Sequence, residues 1–146
     1  MTTTDTKRIF ETRNLDYDYP GGIAALRQTN LAVGPGEMVA LLGANGSGKS
    51  TLLKLMDGLI FPTSGEMIAF GQPLSEKALK DTKLVRDFRS RVGLVFQDSD
   101  VQLFCPTVWD EVTFGPLQLG IEKDKVIARS SEALKLLDIN HLYERP

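Results

Sequence analysis

The apolar positions of the chain fall in short runs separated by glycine- and proline-rich turns. From Ile9 to Tyr17 apolar and polar residues alternate closely enough for a strand, and Asp18-Tyr19-Pro20-Gly21-Gly22 reads as the turn that ends it. Ala25 to Val33 is a second strand candidate, followed by a tight turn at Gly34-Pro35-Gly36-Glu37. Met38-Val39-Ala40-Leu41-Leu42 is continuously apolar, the pattern of a buried strand. A helix is predicted from near Gly48 to near Gly58, and Phe61-Pro62-Thr63-Ser64-Gly65 then turns into a strand from Glu66 to Phe70. Ser75 is placed to cap a helix over 76–89, with Leu79, Val85 and Phe88 as its apolar residues. Arg91 to Phe96 predicts a short apolar strand ending at Gln97. Thr107 predicts the cap of a short helix, Val108 to Phe114, stopped by Gly115-Pro116. Glu122 to Leu137 carries a helical period, with Val126, Ser130, Ala133, Leu134 and Leu137 on one narrow face. Residues 1–7 read as a loose tail, and 8–146 as part of one domain.

One segment carries chemistry in its spacing. Gly43-Ala44-Asn45-Gly46-Ser47-Gly48-Lys49-Ser50-Thr51 fits G-x-x-x-x-G-K-[ST], a phosphate-binding loop. It stands between a predicted strand and a predicted helix, the context that the motif requires. Gly43, Gly46 and Gly48 let the backbone approach an anion closely. The amides then converge around the phosphates, reinforced by the positive end of the helix dipole. Lys49 supplies a point charge for the β- and γ-phosphates, and Ser50 a hydroxyl for Mg²⁺. Thr51 is placed to reach the α-phosphate.

Composition narrows the setting. A chain of 146 residues fits one ordinary domain on a prior of ~100–200 residues per domain. A formal net charge of −2 gives no electrostatic case for binding nucleic acid. Cys105 is the only cysteine, so there is no disulfide framework and no cysteine metal cluster, and a reducing cytosolic setting fits. No apolar run reaches the ~20 residues that a membrane span needs.

Two further positions suit a nucleotide site. An aromatic at Tyr19 is placed to stack on an adenine ring, with Tyr17 as an alternative and coverage of the sheet edge as a purely structural role for both. Gln97, at the carboxyl end of a predicted parallel strand, is placed to reach Mg²⁺ or the attacking water; alone it would be an ordinary polar residue opening a loop. The stretch from Asp98 to Pro116 holds Leu103, Phe104, Trp109 and Phe114, bulky groups that suit either a partner surface or the local core of a helical subdomain.

Together these residues resemble the ATP-binding domain of ABC transporters. Leu42 to Thr51 is similar to that family's Walker A phrasing, Pro62-Thr63-Ser64-Gly65 to its following turn, Val95-Phe96-Gln97 to its Q-loop, and Tyr19 falls where its adenine-stacking aromatic sits. Gln97-Asp98-Ser99-Asp100-Val101-Gln102-Leu103-Phe104, then Thr107-Val108 and Phe114-Gly115-Pro116, resembles the energy-coupling factor importers, especially their cobalt and nickel ATPase components. The resemblance implies an α/β fold: a P-loop core of parallel sheet and flanking helices, an N-terminal antiparallel β layer, and the start of a helical subdomain. It implies ATP and Mg²⁺ as ligands, with Ser50 and Gln97 at the metal. It also implies a second ATPase subunit and integral membrane transport subunits as partners, and a place on the cytoplasmic face of the membrane.

The family's signature motif, Walker B aspartate, catalytic glutamate and switch histidine have no counterpart here. His141 is the only histidine and precedes the signature region. Asp110 and Glu111 follow no apolar strand and read as a solvated helix face rather than a Walker B pair. No catalytic residue is assignable, and the expectation is an incomplete domain, the N-terminal part of a longer ATPase. Three functions follow: an importer ATPase subunit, a non-catalytic nucleotide-binding module that pairs with a complete ATPase, or a soluble ABC-type ATPase in repair or translation.

Overall fold

In a computed structural model, residues 8–98 and 102–146 are described. The predicted tail at 1–7 and the positions Ser99, Asp100 and Val101 lie outside the described residues. The chain divides into two units, Met1–Leu94 and Val95–Pro146.

The first unit is built on a four-stranded sheet in the order β2-β1-β3-β4. Its strands are β1 (Phe10–Tyr19), β2 (Ile23–Val33), β3 (Ser64–Ala69) and β4 (Gln72–Pro73). Every pairing is antiparallel. The expected N-terminal β layer is therefore present, and β3 is its central partner. Phe10 pairs with Val33 on one side and with Ala69 on the other. The β1–β2 register shifts between Thr12 and Leu15, between Leu15 and Tyr17, and again before Asp18. Asn14 and Gln28 take positive φ there, 45° and 44°. Each is held by a partner's side chain: the Asn14 amide donates to Asn30 Oδ1 at 2.9 Å, and the Gln28 amide to Asp16 Oδ1 at 2.6 Å. These bends bring the end of β1 over helix α1 (Lys49–Met56).

Leu15, Leu26, Leu52, Leu55, Met67 and Phe88 form the core between sheet and helices. Phe88 comes from helix α2 (Thr82–Arg91). The helix cap differs from expectation. Ser75 Oγ accepts only from the Ala78 amide, over a short 3₁₀ turn at Ala78–Lys80. Asp81, extended, accepts from both the Lys83 and Leu84 amides and starts α2 instead. Arg89 then closes α2 onto α1, its guanidinium donating to the buried Asp57 carboxylate at 3.0 Å and to the Asp57 carbonyl at 2.8 Å.

Two predicted strands do not form. Segment 38–42, leading into the candidate loop, and segment 92–96 form no strand. Met38 is 101% exposed and Val95 90%. A strand forms only against a neighbour that exchanges amide-to-carbonyl hydrogen bonds with it, and neither segment joins the four-stranded sheet of the described residues. The parallel part of the expected core is thus not seen, although Leu41 and Val92 still touch the antiparallel core.

In the second unit, helix α3 (Val108–Gln118) packs on helix α4 (Lys123–Leu136) through Thr113, Val126, Ser130 and Leu134, all buried. Thr107 caps α3 as expected, accepting from the Asp110 amide at 3.1 Å. The helix runs past Gly115 and includes Pro116, contrary to the predicted stop. Proline removes one helical hydrogen bond, but the turn after it is closed by Leu119, Gly120 and Ile121 amides on the Gly115, Leu117 and Pro116 carbonyls. On α4 the predicted stripe holds at Val126, Ser130 and Leu134, but Leu137 lies beyond the last turn and is exposed.

Candidate functional site

The glycines before α1 set the shape of the candidate loop. Gly46 and Gly48 both take positive φ, 81° and 88°. At Gly48 the space is also closed, since a Cβ would lie 2.5 Å from the Ala25 carbonyl oxygen and 2.7 Å from Leu26 Cδ2. Gly48 is therefore where the start of α1 presses on β2. At Gly43 a Cβ would meet Ser47 Oγ at 2.6 Å, so the two ends of the loop also touch closely.

The start of α1 is free to hold an anion. Its N-cap, Gly48, has no side chain to accept from the first helical amides, and the first turn carries no acidic residue. Such amides have no partner inside the helix. Lys49 folds back across the loop, its ammonium donating to the Gly43 and Ala44 carbonyls at 2.9 and 2.8 Å, with Ser47 Oγ at 3.5 Å. The loop thus gathers the Lys49 ammonium onto its own carbonyls, next in sequence to the uncapped first turn of α1. Ala44, Asn45, Gly46 and Ser47 are exposed along it, turned by the Ser47 amide on the Ala44 carbonyl at 3.2 Å.

Ser50 is exposed on the first turn of α1. Among the described residues there is no cluster of three His, Cys, Asp or Glu able to hold a metal. A single hydroxyl with no carboxylate set suits Mg²⁺ only when phosphate oxygens and water fill its remaining positions. The residues therefore fit a metal that arrives with a nucleotide.

Thr51 is buried, and Tyr19, at the end of β1, brings its hydroxyl to 3.0 Å from Thr51 Oγ1. The Tyr19 ring meets Tyr17 edge-on at 5.0 Å and 88°. The structure therefore brings Tyr19 to the first turn of α1 and packs Tyr17 against the core. Gln97 is exposed at the start of the second unit. A cleft of about 420 Å³ elsewhere in the first unit, floored by Leu74, Leu79 and Phe88, includes no residue of the loop.

Asp110 is exposed on the first turn of α3, as the sequence suggested, and Glu111 beside it is half-buried. Asp110 accepts from the Thr107 hydroxyl at 2.7 Å. Glu111 accepts from the Cys105 and Phe104 amides at 3.0 and 3.3 Å, tying the preceding loop to α3. Burial works against its charge, yet those two amides and the Cys105 thiol together hold its carboxyl below the usual range. Burial, then the Glu111 carboxylate, pushes the Cys105 thiol up. A carboxylate three residues after a Thr cap is the available sequence sign for Asp110; nothing local announces the reach of Glu111. The loop leaves Phe104 exposed, edge-on to Phe114 at 4.8 Å, with Leu103 and Leu117 exposed as well.

The ABC transporter family profile matches residues 26–146. The chain belongs to the ABC transporter family of ATP-binding proteins. It is 48% identical over 137 residues to the nickel import ATP-binding protein NikO of Rhodobacter capsulatus, covering 94% of this chain and 54% of that protein. It is 45% identical over 138 residues to the energy-coupling factor transporter ATP-binding protein EcfA of Methanocaldococcus jannaschii, covering 94% and 48%. The solved structure of cbiO1 from Clostridium perfringens, described as part of the ABC transporter complex cbiONQ, matches with a TM-score of 0.77 at 35% identity. That match covers 96% of this chain and 54% of that one. The chain spans about half the length of these ABC relatives. Among its described residues no helix is long and apolar enough to cross a membrane.

Proposed function

We propose that this chain is the nucleotide-binding part of an ATPase subunit that powers an energy-coupling importer of the cobalt or nickel type. The observation that carries the reading is the loop at Gly43–Thr51: an uncapped helix start with no acid in its first turn, facing the ammonium of Lys49. In this reading the amides of the loop hold the phosphates, and Lys49 leaves the Gly43 and Ala44 carbonyls for the β- and γ-phosphate oxygens. Ser50 and Gln97 hold Mg²⁺, which neutralises phosphate charge when bound. Tyr19 supports the adenine.

No residue of the chain is assigned as the base for water attack. Hydrolysis is read as a property of the assembled ATPase, with a second ATPase subunit completing the site. The exposed apolar group of Leu103, Phe104, Phe114 and Leu117 is read as the face toward the integral membrane subunits. Segments 38–42 and 92–96 are read as strands of a parallel core. The place of action is then the cytoplasmic side of a membrane, reached through the transport subunits.

The test is nucleotide binding by the purified chain. Replacing Lys49 with alanine removes charge-assisted hydrogen bonds worth about 1.5–3 kcal/mol, so ATP affinity falls roughly ten- to a hundredfold. Unchanged affinity for Mg-ATP in the K49A variant would reject the site. Co-purification of the tagged chain with integral membrane proteins supports the importer reading, and its recovery only with soluble partners opposes it.

A further inference from the structure

Tyr19 and Thr51 are 32 residues apart in sequence, yet their hydroxyls lie 3.0 Å from each other. In the nucleotide-site reading the contact joins two parts: the ring proposed to carry the adenine and the hydroxyl proposed to reach the α-phosphate. Thr51 is only 6% exposed, so bulk water does not set the direction of its hydroxyl proton. Among the described residues, Tyr19 is the side chain that hydrogen-bonds it. The phenol is the stronger acid of the two and the better donor. With Tyr19 donating, Thr51 Oγ1 accepts and keeps its own proton for a third group.

A Thr hydroxyl left without such a donor is free to turn its proton to a nearby backbone carbonyl instead. A hydroxyl spent in that way is lost to a ligand. The Tyr19 ring is itself held at two points, by the Tyr17 ring edge at 5.0 Å and by the end of β1, where Tyr19 pairs with Ile23. Its hydroxyl is therefore a fixed point, and Thr51 is the group it fixes.

We propose that Tyr19 is a positioning residue for the phosphate end of the site as well as a platform for the base: its hydroxyl orients the Thr51 hydroxyl as a donor to the α-phosphate of an adenine nucleotide. This rests on the nucleotide-site reading given above. It separates two roles of one side chain, because Tyr19→Phe keeps the ring and removes only the hydroxyl.

The experiment measures binding of adenosine, AMP and ATP to the full chain and to Y19F, T51V and the double variant. Y19F keeps the affinity for adenosine and loses roughly three- to tenfold for AMP and ATP alike, the range of one hydrogen bond. T51V shows a similar loss, and the double variant loses no more than either single one, since both changes remove the same contact. Wild-type ATP affinity in Y19F overturns the proposal. So does an equal loss for adenosine, which would make the hydroxyl a support for the ring alone, and so does multiplication of the two losses in the double variant. The K49A variant keeps the two readings apart: unchanged ATP affinity there rejects the nucleotide site, whereas a K49A loss with a silent Y19F rejects only the role of the hydroxyl.

Discussion

Gly46 and Gly48 look alike in the sequence, and both take positive φ, but their surroundings differ. Around Gly46 nothing lies within 4 Å of the place a Cβ would occupy. Alanine there costs only the left-handed backbone, about 1–2 kcal/mol. At Gly48 the same backbone penalty is joined by contact with the Ala25 carbonyl, which belongs to a paired strand and cannot swing aside. Overpacking of this kind adds about 1–3 kcal/mol. Gly48→Ala should therefore lower the urea midpoint of the first unit clearly more than Gly46→Ala does, and equal midpoints for the two variants would show that α1 does not press on β2 here. The motif spacing made the glycines legible, because a phosphate loop is local in sequence. The Tyr19 to Thr51 contact and the two amides on Glu111 were not, because each depends on how distant or neighbouring backbone happens to turn. The hydroxyls and carboxylates themselves gave no sign of their partners.

Elements with local causes were read correctly: β1, β2 and β3 from alternation and turn residues, α4 from its period, and the Thr107 cap from its side chain. The start of α2 was misread because two oxygen-bearing residues, Ser75 and Asp81, compete to cap it. Asp81 wins by accepting from two amides. The bends in the β1–β2 pair were invisible in the pattern, since they depend on Asp16. Its carboxylate accepts from the Gln28 amide at 2.6 Å and from the Ser64 hydroxyl at 2.8 Å, so one side chain joins β2, β1 and the start of β3. The Gln28 amide first, then the Ser64 hydroxyl, hold the Asp16 carboxyl below the usual range. A carboxyl depressed in the folded state binds fewer protons than its unfolded counterpart, so its contribution is complete above the ordinary aspartate value and disappears as pH falls through the lower folded value. Stability should drop as pH goes below ~4. In Asp16→Asn the neutral-pH stability is lower and the acid-dependent part of the loss shrinks. Urea midpoints taken stepwise from acid to neutral pH for both proteins check this, and parallel curves would show that Asp16 is not the group responsible.

At the scale of the whole molecule, what the sequence did not reveal is pairing between segments far apart. Continuous apolar runs at 38–42 and 92–96 identify strand-like stretches, but pairing is a property of two segments, and apolar content alone does not supply the second. The result is a first unit with a paired antiparallel sheet and, outside that sheet, a segment at 38–42 whose Met38, Val39 and Leu42 are exposed. Met38 and Leu42 are 101% and 93% exposed. Short, apolar, uncharged segments that lie outside a sheet, as 38–42 does, are templates for pairing with another chain. A net charge of −2 over 146 residues offers little repulsion to oppose this. The isolated chain is therefore expected to self-associate with rising concentration and to bind an apolar dye while still folded. Charging the 38–42 segment, by Met38→Lys with Val39→Lys, should shift the chain toward monomer because lysine on an exposed strand edge resists pairing and remains hydrated. Light scattering over a concentration series, with circular dichroism to verify the fold, measures both effects. A wild-type chain that stays monomeric and dye-silent throughout would mean that its amides and carbonyls at 38–42 find partners within the molecule in solution. A lysine variant that associates as strongly as the wild type would move the contact elsewhere, with the exposed Phe104 and Leu103 surface of the second unit as the next apolar face to charge.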